Sequence, residues 1–237
     1  MRWVRRGPTA VKKMYELWEV DHLQQLFKYF DVDCVFDVGA NTGQYATMLR
    51  EKVGYKGLVV SFEPDPDVAA GLAKKAAGQP RWLVEDLAIS AKDGTAQFNV
   101  MKESEFSSLS APRHDQVDLF RELNQVCKTV TVRTENLATT VDRLRGQFGF
   151  SRPFLKLDTQ GFDTQIVSAA PQAVRTFVGL QSELAIKKLY ADSVDFREAI
   201  TVYEECGFEL SALVPNNAGH FPRLIEVDCI MVRADLL

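Results

Sequence analysis

The stretch Cys34-Val35-Phe36-Asp37-Val38-Gly39-Ala40-Asn41-Thr42-Gly43 decides how the chain is read. A short apolar, β-favouring run ends in a turn with two glycines, and a helix is expected over about 44–53. Gly39 and Gly43 remove side chains where the backbone turns tightly and a ligand can lie against it, near the NH groups of a helix start. Ala40 and Asn41 sit within that turn. Asp37 stands where it can accept from ligand hydroxyls or an ammonium group.

Outward from this turn the same period recurs. Residues 57–62 read as a strand, 67–77 as a helix, 81–88 as a strand, and 154–158 and 177–184 as further buried strands. This alternation predicts an α/β, doubly wound, mostly parallel seven-stranded sheet with crossover helices. The link between the strands expected over 208–214 and 224–232 is too short for a crossover helix, so the chain should end in an antiparallel hairpin. Strands are also expected over 95–101 and 129–134, flanking a polar segment, 102–128, read as a lid. Helically spaced Met14, Leu17, Trp18, Leu23, Leu26, Phe27 and Phe30 mark residues 1–31 as an N-terminal helical extension to a ligand-binding domain over 32–237.

A second acid sharpens the ligand. Glu63, followed by Pro64, ends the next strand, where doubly wound sheets place a carboxylate on a ribose diol, a group common to NAD and S-adenosylmethionine (SAM). Asp86, near the end of the third strand, is a candidate to accept from an adenine amino group. The dinucleotide fingerprint GxGxxG seats a pyrophosphate, whereas the chain has Asn41 in the middle position and Gln44 in the last. The loop therefore favours SAM, with S-adenosylhomocysteine as its product, and makes a nicotinamide-dependent oxidoreductase the alternative.

Composition narrows the class. The 237 residues carry a net charge of −4, which leaves no overall positive field for nucleic acid. Arg2, Arg5, Arg6, Lys12 and Lys13 form a basic start, read as a solvated leader. Four dispersed cysteines fit neither a zinc site nor a disulfide framework, and no run of about 18 apolar residues occurs. A cytoplasmic protein without a transmembrane segment is expected.

The blocks Phe36 to Tyr45, Phe62-Glu63-Pro64, Ser107-Ser108-Leu109, Val141-Asp142 and Leu155-Lys156-Leu157-Asp158-Thr159-Gln160-Gly161-Phe162-Asp163 together resemble the FkbM-type methyltransferase family, from about Val32 to Arg233. The resemblance implies a class I SAM-dependent fold and O-methylation of a hydroxyl, commonly on a sugar, glycan or secondary metabolite. It also implies Asp37, Gly39, Asn41 and Glu63 as cofactor contacts and Asp158 as an active-site residue. The chain departs from the pattern at Gln160, where many members carry glutamate.

Independently of the resemblance, Asp158 and Glu183 each close an apolar strand, and open α/β sheets bind ligands beyond the carboxyl ends of their strands. One of the two can accept the proton of an attacking hydroxyl. The alternative, a divalent cation held by both, is not favoured, because oxygen-ligand sites need more carboxylates than this pattern places. His114 in the lid and His220 in the hairpin loop are rim positions, and His220 is the further catalytic candidate, since an imidazole titrates near neutrality. His22 is read as structural. A catalytically silent SAM-binding scaffold is the remaining alternative. Acceptor identity and homo-oligomerisation are left open.

Overall fold

The computed structural model describes residues 10–113, 125–215 and 223–237. A seven-stranded sheet carries the molecule: β1 (Cys34–Val38), β2 (Leu58–Phe62), β3 (Trp82–Glu85), β7 (Pro153–Leu157), β8 (Gly179–Ala185), β9 (Phe208–Pro215) and β10 (Glu226–Arg233) lie in the order β3-β2-β1-β7-β8-β10-β9. All neighbours pair in parallel except around β10, which is antiparallel to both β8 and β9. The predicted doubly wound sheet and terminal hairpin are therefore both observed. Strand order reverses between β1 and β7, and such switch points open a crevice at the carboxyl ends of the strands.

The pleat assigns the two faces. Val35, Val59, Phe154 and Ile230 pack beneath α1 (Ala10–Tyr29), α2 (Gln44–Met48) and α3 (Pro66–Ala76). Phe36, Val60, Leu155 and Leu180 pack beneath α4 (Leu137–Phe148), α5 (Asp163–Ala169), α6 (Pro171–Val174) and α7 (Phe196–Glu205). Start signals are local: Asp65 accepts from the amides of Asp67 and Val68 with Pro66 following, and Asn136 and Asp195 cap α4 and α7. Past α2 the chain continues through a π-helical turn, Leu49–Val53. The segment read as an extension packs into the core, burying Leu23, Leu26 and Phe27.

The run expected as one strand over 81–88 divides in two. β3 joins the main sheet, while β4 (Ala88–Ser90) pairs with β6 (Val126–Asn136). β6 also pairs antiparallel with β5 (Gly94–Met101), giving a separate three-stranded sheet. Two of the strands expected between the third and the Asp158 strand thus belong to this second sheet. Strand propensity is local, but which edge a strand joins depends on partners far along the chain.

Candidate active site

The crevice at the switch point has a volume of roughly 730 Å³. Its two ends differ in chemistry. At the β1–β2 end, Gly39 (φ 77°) lets the turn press on the loop after β7: a Cβ there would stand 1.9 Å from the Asp158 carbonyl oxygen. The amides of Gly39 and Ala40 both donate to Phe62 O, and that of Gly43 to Ala40 O. The Asn41 amide donates to Glu63 Oε2 (2.8 Å), and the Asp65 amide to Glu63 Oε1 (2.8 Å). The turn's amides at 39–41 and 43 are therefore occupied by protein acceptors, and a pyrophosphate there would meet a carboxylate.

Glu63 is buried, and loss of solvent raises its carboxyl to about 7 despite the two amide donors. Each of its oxygens retains a lone pair for a diol. Beside it, Phe62, Pro64, Leu87, Ile89 and Phe98 form an apolar slot suited to a planar base. Asp86 is not among the lining residues: its side chain is 79% exposed and lies 4.0 Å from Arg133. The expectation for Asp86 is corrected by the break between β3 and β4, which turns it outward while Leu87 and Ala88 face the crevice. Gly43 (φ 77°) also stands back from the lining; a Cβ there would strike Leu72 and Trp82, so its place is set by helix packing.

Asp37 lies under the floor, fully buried. Its Oδ2 accepts from Ser61 Oγ (2.9 Å), while Oδ1 has no hydrogen-bond partner among the described residues and only an ionic neighbour, Lys156 Nζ, at 3.7 Å. Burial pushes the Asp37 carboxyl up, against the pull of Lys156 and Ser61. Burial alone would lower the Lys156 ammonium, but Asp158 and Asp37 on either side raise it, so it remains a cation. Its Nζ reaches Asp158 Oδ2 at 3.2 Å and lies 5.5 Å above the Tyr45 ring.

The other end is built from β7, β8, β10 and α1. Gln160 Nε2 donates to Asp158 Oδ1 (2.7 Å) and Glu183 Oε2 (3.0 Å), joining the two predicted acids. Glu183 is paired in register with Asp228 across β8 and β10, and Glu226 follows on the same face. Burial, then Glu226, Asp158, Asp228 and Asp163, raise the Glu183 carboxyl well above the usual range. Glu16 and Glu19 of α1 also line this wall. Glu19 accepts from Gln181 Nε2 (2.8 Å), Tyr45 Oη donates to Gln181 Oε1 (3.0 Å), and Lys52 pairs with Glu16. Asp158 does not cap α5. Asp163 instead accepts from the Thr159 amide (2.9 Å) and from Ser182 Oγ (2.8 Å), fixing the loop.

Part of the expected lid reaches the site: Ser104, Glu105, Phe106, Ser107 and Leu109 line the crevice, and Ser104 Oγ donates to Asn41 Oδ1 (3.0 Å). His114 and His220 lie outside the described residues. His22 stacks on Trp18 and meets Ser211 Oγ at 3.0 Å, away from the crevice lining. Sequence reasoning did not bring Lys156, Glu19, Glu226, Asp228 or Tyr190 to the site. For the strand residues the available signal was a charged or polar side chain on the pleat face that otherwise reads as core.

A glycine turn and a strand-end acid at a switch point are features by which doubly wound sheets bind nucleoside cofactors. The model of the methyltransferase FkbM domain matches residues 37–210, and the chain belongs to that family. No match is found among curated proteins. Similar solved structures include magnesium protoporphyrin IX methyltransferase from Synechocystis PCC 6803 with bound SAM (10% identity, 97% of this chain and 86% of that one, TM-score 0.49). Methyltransferase FkbM from Methylobacillus flagellatus KT is similar at 13% identity and TM-score 0.49, over 84% of this chain but only 44% of that one. Aeropyrum pernix fibrillarin in complex with SAM is similar at 12% identity, 84% and 66% coverage, and TM-score 0.47. Family membership sets the nicotinamide alternative aside. No helix among the described residues is long and apolar enough to cross a membrane. Nor does any group of three or more His, Cys, Asp or Glu among them have the arrangement of a metal site.

Proposed function

We propose that the chain transfers the methyl group of SAM to a hydroxyl of a sugar, glycan or secondary metabolite. The carrying observation is the division of one crevice into an adenosine-compatible end, with its turn amides occupied, and an end where Asp158 and Glu183 converge. The donor's fit rests on residues present. Glu63 offers its free lone pairs to a ribose diol, the slot beside Leu87 takes the base, and the orphaned Asp37 Oδ1 supplies an anion below the aminoacyl end. When bound, SAM supplies an electrophilic methyl group. Among the described residues a phosphate at the first end would find only Lys75, and that side chain already donates to Thr42 O.

An alcohol is a poor nucleophile until it begins to lose its proton. Both oxygens of Asp158 are engaged, by Gln160 and Lys156, which suits it to orient the acceptor hydroxyl. Burial makes Glu183 the more basic group and the better proton acceptor. The carboxylates of Glu16, Glu19, Glu226 and Asp228 favour an acceptor rich in hydroxyl or ammonium donors over a polyphosphate. Most of the acceleration then comes from alignment and exclusion of water. The test is methyl transfer from labelled SAM to a panel of sugars and hydroxylated metabolites, with calorimetry for the donor. Donor binding with labelled methyl ether formed supports the proposal; SAM binding without any acceptor indicates the silent scaffold.

A further inference from the structure

Gln160 occupies an unusual position. Its backbone is left-handed (φ 55°), a conformation that non-glycine residues seldom adopt without support. Support comes from Ser108, whose buried hydroxyl points at the carbonyls of both Gln160 (2.9 Å) and Thr159 (3.1 Å). The side chain is oriented as firmly. Tyr190 is 2% exposed, and its hydroxyl lies 2.9 Å from Gln160 Oε1 and 3.0 Å from Phe106 O, so its single proton is directed toward two acceptors. With Oε1 turned to Tyr190, Nε2 faces the acids. Its two hydrogens are matched by two acceptors, Asp158 Oδ1 at 2.7 Å and Glu183 Oε2 at 3.0 Å.

We propose that Gln160, oriented by Tyr190, is a positioning residue whose amide nitrogen holds the Asp158 and Glu183 carboxyl groups side by side and lowers the proton affinity of Glu183. Two carboxylates bridged by one donor avoid the direct oxygen contact that forces neighbouring acids to retain a proton. The need is acute at Glu183. Among the described residues it faces Glu226 and Asp228 on β10, Asp163 on α5, Asp158 after β7 and the Tyr190 hydroxyl. A glutamate at position 160 would add a further acid in place of the donor.

The consequence for turnover rests on the reading of Asp158 and Glu183 as the reacting pair, but the proton equilibrium does not. The test is a carboxyl ¹³C NMR titration of Glu183 in the full chain, comparing wild type with Gln160→Ala, Gln160→Glu and Tyr190→Phe. Removing the donor should bind the proton roughly tenfold more tightly, an upward displacement of about one pH unit in Gln160→Ala. Gln160→Glu should move it further, and Tyr190→Phe in the same direction by less. Tyr190→Phe leaves the left-handed backbone untouched and keeps the test decisive if the position-160 variants do not fold. A Glu183 midpoint unchanged in Tyr190→Phe and in whichever position-160 variants fold would overturn the proposal. SAM calorimetry on the same samples separates the two ideas: failure of wild type to bind SAM defeats the proposed function, while the Glu183 midpoint still decides the role of Gln160.

Discussion

On the β1–β2 side of the crevice, most polar groups are closed by residues of the same turn or the adjacent strand. The turn amides meet Phe62 and Glu63 on the adjacent strand, Asp65 caps its own helix, and Asp37 meets Ser61 beside it in register. On the β7–β8–β10 side, closure runs across long stretches of chain: Glu19 to Gln181, Tyr45 to Gln181, Ser108 to Gln160, and Tyr190 to both Gln160 and Phe106. The first side is a prepared seat made of backbone. The second is a charge cluster held in place by side chains, where one substitution alters protonation as readily as shape.

The largest expected effect breaks that contrast at the second side. Asp158→Ala and Glu183→Gln should each lower turnover by roughly 10²–10⁴-fold, with SAM affinity kept within a few-fold, measured by initial rates and calorimetry. Glu183→Gln should also remove the acid limb of the pH–rate profile. That limb rises with pH because the base must be ionised, and burial places it above the usual carboxylate range. Gly39→Ala attacks the seat. A Cβ at φ 77° overlapping the Asp158 carbonyl should cost about 3 kcal/mol or more of stability by urea denaturation and carry donor binding down with it.

Glu63→Ala should weaken SAM binding by about 10–100-fold, the scale of one or two hydrogen bonds to charged groups, and Asp37→Ala by less, because its carboxyl lies beneath the crevice floor. Turnover at saturating donor should change far less. A pH dependence of stability sharpens the comparison further. Folded Glu63 keeps its proton to about 7, whereas the ordinary value is 4.5, so the folded state binds more protons in between. The contribution of this residue to stability must therefore fall as pH rises from 4.5 through about 7, by roughly 3 kcal/mol. Chemical denaturation across that window should show a shallower fall in Glu63→Gln, with the remainder including Glu226, which burial also raises to about 7. Asp86→Ala should be the smallest change, leaving SAM affinity within about twofold, because the side chain faces solvent.

Much of the first side was legible because its information is contiguous. Asp37, Gly39, Asn41 and Glu63 lie on a strand–turn–helix unit and the end of the next strand, and their positions follow from that local grammar. Asp86 shows its limit: the strand propensity of 81–88 was real, yet a break after Glu85 sent the rest to another sheet and turned the acid outward. Asp158 and Glu183 could be placed at strand ends, but their joint donor could not. Gln160 read as a departure from a pattern, and its meaning depends on Tyr190, thirty residues away in the chain.

Hydrophobic period and glycine placement alone determined the doubly wound sheet, its antiparallel last strand and the identity of the turn that lines the crevice, since each is a property of a few consecutive residues. Tertiary structure alone decided that α1 lends Glu16 and Glu19 to the crevice wall, that three strands form a second sheet, and that Gln160 bridges two acids. Side-chain contacts across the chain are selected by packing, and a hydrogen bond between distant residues leaves no periodic trace in sequence.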